Sequence, residues 1–141
     1  HVAHDCIVGD RVVMANNATL AGHVIIEDDA IIGGLTGVHQ FVRVGRMSIL
    51  GGFTKAVKDV PPYMMADGDP LKIFGPNKLG LERHGVSEET QKALKEAYKI
   101  VFRTDLTVAK ALERIEAELA PAPEIRNFVE FIRKSERGIS K

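Results

Sequence analysis

Residues 19–44 read TLAGHVIIEDDAIIGGLTGVHQFVRV, and the spacing within them decides the fold. Leu20, Ile26, Ile32, Val38 and Val44 recur every six residues, and Val24, Ala30, Thr36 and Val42 recur four places after the first of each pair. Working outward, the first series begins at Val2, Val8 and Met14 and ends at Leu50 and Ala56. The second begins at Cys6, Val12 and Ala18 and ends at Ser48, Thr54 and Val60. Every member of the first is aliphatic or Met, and every member of the second is small or β-branched. A period of six predicts a parallel β-helix rather than a set of unrelated short strands. One aliphatic residue per hexad points inward, a small residue sits near the corner, and three hexads close a triangular coil of eighteen residues. Coils then stack at the strand spacing of about 4.8 Å, each burying its apolar side against its neighbours.

The repeat is expected to end at Pro61-Pro62, because proline cannot donate to a strand ladder. The passage 62–76, rich in Gly and Pro towards its end, reads as a connecting loop. Helical patterning follows over 77–141. Ser87 is a candidate N-cap with Glu88 and Glu89 in the first turn, and Leu94, Ala97, Tyr98 and Val101 give one apolar face. Thr107 can cap a second helix with Val108, Ala111, Leu112, Ile115 and Leu119 inward, and Pro123 can open a third carrying Ile125, Phe128, Val129 and Ile132. The expected organisation is β-helix coils over 1–61, a loop over 62–76 and a helical domain over 77–141.

Lys+Arg and Asp+Glu balance at 19 each in 141 residues, which argues against nucleic-acid binding through general positive charge. One cysteine, Cys6, excludes an internal disulfide framework and fits a reducing compartment. Neither of the two longest stretches without Asp, Glu, Lys or Arg, Val12 to Ile26 and Ala30 to Val42, is long enough to span a bilayer as a helix. The chain reads as a soluble cytoplasmic protein without membrane insertion. It opens without Met, as a segment of a longer polypeptide does.

An eighteen-residue coil makes i, i+18 and i+36 vertical neighbours. His4, Gly22 and Gln40 form one column, Asp5, His23 and Phe41 the next, and His1, Thr19 and Gly37 another. Four of the five histidines (His1, His4, His23, His39) therefore fall in one zone. Three readings stand open. The histidines are exposed or core-edge residues. Or they are zinc ligands, as in the β-helical carbonic anhydrases, where three nitrogens and an open position are needed. Or one of them is a general base, with a backbone N–H nearby to receive a developing oxyanion. Gly22, lacking Cβ, lets such an N–H approach closely. Asp5 follows His4 directly, so along a strand it would point the other way, which leaves it a capping or turn role as well.

The stretches HVAHDCIVGD, NNATLAGHV, IIGG followed by HQF, DVPPYM, GPNKLGLERHG and the closing SERGI resemble the UDP-N-acetylglucosamine O-acyltransferase family of lipid A synthesis, over the C-terminal half of its length. The resemblance implies a left-handed β-helix, an exception to right-handed crossovers, followed by an α-helical C-terminal domain. It implies transfer of a 3-hydroxyacyl group from acyl carrier protein to the glucosamine 3-hydroxyl of UDP-N-acetylglucosamine, with His4 as base, Asp5 as its support and the Gly22 N–H as oxyanion donor. His1, His23, His39 and Gln40 would line the substrate and pantetheine cleft. Asn77 and Arg83 would contact the nucleotide, although Leu79 and His84 stand where some members carry Glu and a second Arg. Gly52 matches the residue that sets acyl length, with Ile49 nearby in the acyl groove, and a glycine there implies a chain near fourteen carbons. Arg43, Arg46, Lys55 and Lys58 would offer charge to an acidic carrier protein. The resemblance implies a homotrimer, no cofactor and no metal. Related alternatives are the N-acyltransferase of the same pathway and a 3-amino-sugar acceptor.

Overall fold

A computed structural model describes residues 1–141. Nine two-residue strands form the first part: β1 (Ile7–Val8), β2 (Val13–Met14), β3 (Thr19–Leu20), β4 (Ile25–Ile26), β5 (Ile31–Ile32), β6 (Gly37–Val38), β7 (Arg43–Val44), β8 (Ile49–Leu50) and β9 (Lys55–Ala56). They pair in parallel along three faces, in the orders β1-β4-β7, β2-β5-β8 and β3-β6-β9. Ile7 pairs with Ile25 and Ile25 with Arg43, so the register is the expected step of eighteen. The result is a parallel β-solenoid of about three turns.

Both hexad series turn inward. Leu20, Ile26, Ile32, Val38, Val44, Leu50 and Ala56 are buried, as are Val24, Ala30, Thr36, Val42, Ser48, Thr54 and Val60. The buried hydroxyls are satisfied by carbonyls: Ser48 Oγ donates to Gly45 O (2.7 Å) and Thr54 Oγ to Gly51 O (2.8 Å). At the N-terminal end of the solenoid the same inward positions lie open, with Val2 49% and Val8 42% exposed.

Each corner is a two-residue turn whose second member has a left-handed backbone. Asp5, Arg11, Asn17, His23, Asp29, Leu35, Phe41, Met47 and Phe53 all have φ between +55° and +65°. None is glycine, so each carries a conformational cost of about 1 kcal/mol. Stacking offsets it. Arg11 sits over Asp29 in one corner with Nε–Oδ1 2.8 Å, and His23 stacks on Phe41 in another, with ring centroids 4.7 Å apart.

The solenoid ends after Val60, which bridges to Val44. The expected loop at 62–76 is instead largely a hairpin, β10 (Met64–Asp67) and β11 (Lys72–Pro76), and β10 extends the β2-β5-β8 face by pairing with β8. The alternation of buried Met64 and Ala66 with exposed Met65 and Asp67 caps that face with one more strand. Four helices follow: α1 (Lys78–Arg83), α2 (Glu88–Phe102), α3 (Val108–Glu118) and α4 (Pro123–Arg133). Ser87 and Thr107 cap α2 and α3 by accepting from Thr90 N and Lys110 N, and Pro123 opens α4. The apolar stripes of α2, α3 and α4 bury against one another, with Leu94, Val101, Leu112, Ile115 and Phe128 inaccessible or nearly so. No helix is long and apolar enough to cross a membrane.

The C-terminal tail returns to the solenoid through Asp59, which is 1% exposed. Its carboxylate accepts from Arg43 N (2.8 Å) and Ser135 Oγ (2.5 Å), and its backbone pairs with Gly138 O and Ser140 N. Asp59→Ala leaves two donors unpaired, and a cost of about 2 kcal/mol is expected, with earlier protease cleavage of the tail. An unchanged denaturation midpoint would show that the tail is held by other contacts.

Candidate functional site

The corner between the β3-β6-β9 and β1-β4-β7 faces gathers His4, Asp5, Gly22, His23, Gln40 and Phe41, two residues from each coil. The left-handed backbone at Asp5 (φ 59°) overturns the strand expectation, because it swings the carboxylate back towards its neighbour. His4 Nδ1 lies 3.0 Å from Asp5 Oδ2. The imidazole holds the Asp5 carboxyl below the usual carboxylate range, first by this hydrogen bond and then through the charge of His23, 3.7 Å away at Nε2. An ionised Asp5 accepts from Nδ1–H, which leaves Nε2 of a neutral His4 as the free lone pair.

The other face of the ring rests on Gly22. A Cβ at Gly22 would lie 2.7 Å from His4 Cε1 and 2.8 Å from Nε2. Gly22 is buried, its carbonyl accepts from Phe41 N, and its N–H donates to no group of the chain. A base nitrogen and an uncommitted backbone N–H therefore sit side by side. His23 meets His4 edge-on, with centroids 5.2 Å apart and planes at 87°, and lies flat on Phe41. Phe41 forms one wall of this corner, and only its place in the i, i+18 column signals it in the sequence.

Donor atoms of His4, Asp5 and His23 all lie within 4.8 Å of one another, a set able to hold a cation. The zinc alternative requires His1 beside His4, and His1 is outside this cluster. The cluster is also closed on itself, since the Nδ1–Oδ2 bond engages two of its three donors.

His39 and Gln40 are exposed at the same corner on the third coil, with His39 Nδ1 3.4 Å from Gln40 O, and His1 is exposed on the neighbouring β3-β6-β9 face. The remaining expected residues lie elsewhere. Asn77 is turned inward: its Oδ1 caps α1 by accepting from Gly80 N (3.1 Å), and its Nδ2 donates to Met47 O (3.0 Å). Both polar ends are thus used inside the chain, and Asn77 holds the α1 segment against the second corner rather than facing solvent. Exposed Arg83 sits in the last turn of α1, next to His84, whose Nε2 is 3.4 Å from Asp29, a half-buried residue with its side chain 5% exposed. Asp29 in turn is gripped by Arg11, whose hydrogen bond is the main reason its carboxyl is held below the ordinary range, with a smaller share from His84. The sequence showed His84 only as a departure; its tie to Asp29 crosses between elements and no local spacing reveals it.

Gly52 lies at the third corner, stacked on Gly34, where a Cβ would meet Gly34 O at 3.2 Å. Leu35 and Phe53 flank this glycine column and are exposed, Phe53 by 79%. Ile49 is half-buried on the outer side of β8. One chain thus carries the His4–Asp5 pair at one corner, the α1 segment at the second and a glycine-lined apolar ridge at the third.

A family model described as UDP N-acetylglucosamine O-acyltransferase, domain 2, matches residues 59–140. The acyl-(acyl-carrier-protein)–UDP-N-acetylglucosamine O-acyltransferase of Anaeromyxobacter dehalogenans is 46% identical over all 141 residues, and that of Thiobacillus denitrificans is 48% identical over 139. These matches cover 55% and 54% of those proteins, so the chain spans about half the length of the curated relatives it matches. Among solved structures, LpxA from Acinetobacter baumannii superposes with a TM-score of 0.95 at 45% identity, covering 99% of this chain and 54% of that one. The UDP-N-acetylglucosamine acyltransferase of Bacteroides fragilis superposes with a TM-score of 0.97 at 40% identity, covering 99% and 56%. With a solenoid, a helical region and a His4–Asp5 pair set on Gly22, and with relatives this similar along its whole length, the chain belongs to the UDP-N-acetylglucosamine O-acyltransferase family.

Proposed function

We propose that the full-length protein carrying this chain transfers a 3-hydroxyacyl group from acyl carrier protein to the 3-hydroxyl of UDP-N-acetylglucosamine, the first step of lipid A synthesis, in the cytoplasm. The observation that carries the reading is the His4 imidazole, tied at Nδ1 to Asp5 and laid on Gly22, whose N–H is free. Nε2 of His4 takes the proton of the sugar hydroxyl as its oxygen attacks the thioester carbonyl. The tetrahedral oxyanion accepts the Gly22 N–H. The C–S bond then breaks, and the proton on His4 passes to the departing thiolate. The thioester supplies the driving force, with no metal or cofactor. His1, His23, His39 and Gln40 line the way to this corner, and Arg83 serves the nucleotide through its planar fork of donors.

The solenoid is read as left-handed and the protein as a homotrimer. Supporting the trimer is the distribution of the parts: base, nucleotide segment and acyl ridge occupy three different corners, and threefold packing can bring corners of neighbouring copies together. The outer side of the β2-β5-β8-β10-β11 face is also apolar, through Val13, Ile31, Ile49, Met65 and Phe74, whereas Thr19, Gly37 and Lys55 occupy the corresponding positions on the β3-β6-β9 face. Sedimentation of the full-length protein is expected to give a trimer, and a stable monomer with full activity would overturn an intersubunit site.

The test restores the upstream coils and mixes the protein with UDP-N-acetylglucosamine and a panel of 3-hydroxyacyl carrier proteins, with mass spectrometry following the sugar nucleotide. Transfer is expected, highest near fourteen carbons, because Gly52 and Gly34 leave their corner unblocked. Highest activity with the ten-carbon donor would remove Gly52 as the open end of the groove. Transfer only to a 3-amino sugar would replace the acceptor and keep the base.

A further inference from the structure

Beside the His23–Phe41 stack a cleft of about 490 Å³ opens between the β1-β4-β7 face and the C-terminal tail. Three cations wall it: Arg43 from β7, Lys134 at the end of α4, and Arg137 from the tail. We propose that this cleft is a phosphate-binding subsite, taking a phosphodiester or diphosphate group of one of the two substrates.

The charges are placed and available. Arg137 is anchored by a hydrogen bond from Nε to Val57 O (3.1 Å), while its Nη groups bond to nothing in the chain. Arg43 is held flat on Phe131, 4.5 Å from the ring centroid, with a 3.4 Å contact to Glu27 that engages one nitrogen of its fork. Lys134 is exposed and forms no ion pair, unlike Lys99 on α2, Arg114 on α3 and the adjacent Arg133 on α4. Two carboxylates share the cleft. Asp59 already accepts one hydrogen bond on each oxygen, from Arg43 N and Ser135 Oγ, and Glu136 is exposed. With Arg43 facing Glu27 and Asp59 engaged on both oxygens, Lys134 and the Nη groups of Arg137 are the donors left to receive an anion. An arginine fork held by its own Nε suits a phosphate better than a free side chain does, because less freedom is lost on binding.

Position gives the cleft its purpose. His23 and Phe41 form its inner wall, and His23 touches His4 edge-on. A substrate with its phosphate against Lys134 and Arg137 therefore lies with its remainder crossing the His23–Phe41 stack towards Nε2 of His4. This deepens the acyl-transfer reading and rests on it. It also gives the closing tail a role beyond covering the solenoid: Asp59 fixes the tail, and the tail delivers Arg137.

The experiment uses the full-length protein with Lys134→Gln, Arg137→Gln and Arg137→Lys, and Lys110→Gln on α3 as control. KM is measured for three substrates separately: acyl carrier protein, the acyl thioester of free phosphopantetheine, and UDP-N-acetylglucosamine. Lys134→Gln touches no internal bond of the fold and is expected to raise one KM about tenfold with kcat held. Arg137→Lys is expected to recover part of the loss of Arg137→Gln. A rise for acyl-phosphopantetheine assigns the donor's phosphate, and a rise for the nucleotide sugar assigns the diphosphate; either supports the subsite. A change with carrier protein alone, or no change, overturns it, because the charges then act on the carrier's surface or on nothing. Should the wild type transfer no acyl group, the functional reading fails by itself. Titration with inorganic pyrophosphate still decides the subsite: saturable binding weakened by Lys134→Gln keeps it, and equal or absent binding removes it.

Discussion

His4→Ala in the full-length protein is expected to lower kcat for acyl transfer by roughly 10²- to 10⁴-fold while leaving the fold intact. The side chain is 73% exposed, makes its one hydrogen bond to the adjacent Asp5 and fills no part of the core, so its removal leaves no cavity. A fall in rate without a fall in denaturation midpoint separates a base from a structural histidine. Asp5→Asn tests the second half of the arrangement. With a carboxylate, only Nδ1–H can be the donor, and Nε2 stays free. An amide can also donate to Nδ1, which puts the proton on Nε2 and removes the lone pair from the reacting side. Asp5→Asn is therefore expected to lower kcat, by less than His4→Ala, because the wrong tautomer competes rather than replaces. The pH behaviour has a defined sign. The Asp5 carboxyl is held below its ordinary value in the folded state, so its support of His4 is complete above the ordinary carboxylate range and is lost only as pH falls through the lowered value. The acid side of the rate profile should thus show no Asp5 step within the ordinary carboxylate range. Full transfer by His4→Ala would leave the family assignment standing and take the base elsewhere.

Much of this was legible in the chain because a solenoid writes its geometry into a single number. Once six is recognised as the period and eighteen as the coil, Ile7 must meet Ile25, and His4 must lie over Gly22. The helices were legible through their caps, Ser87 and Thr107, and through stripes such as Leu94, Ala97, Tyr98 and Val101. What escaped has physical reasons. The corners take a left-handed residue, but this chain fills them with Asp5, His23, Leu35 and Phe53 rather than glycine, so composition gives no sign of them. Missing the corner at Asp5 meant expecting its carboxylate on the far side of a strand. The hairpin at β10 and β11 hid behind its own Gly68 and Pro70, turn residues that read as a loop although buried Met64, Ala66 and Ile73 alternate around them. Asn77 was legible as a polar residue opening a helix, yet its second bond, to Met47 O thirty residues away, is set by how α1 lies against the solenoid and by nothing local.

Gly22→Ala is the second substitution expected to act strongly, and its mechanism can be isolated. The backbone at Gly22 does not need the left-handed region, so alanine is permitted there on conformational grounds. The added methyl would collide with the ring of His4 and with no backbone atom. An exposed ring can swing away, so stability should change by less than about 1 kcal/mol, while a base displaced by about an ångström loses on the order of 10²-fold in rate. Gly45→Ala supplies the contrast. There the methyl would run into the backbone of Pro62, a group that cannot swing away, so the expected damage is to the fold, with any remaining folded protein turning over normally. Measuring kcat and the denaturation midpoint for both variants distinguishes a glycine kept open for a catalytic imidazole from one kept open for the next coil. If Gly22→Ala instead lowers stability as Gly45→Ala does and keeps kcat, the contact between His4 and Gly22 is packing, and the free N–H at Gly22 loses its claim to the oxyanion.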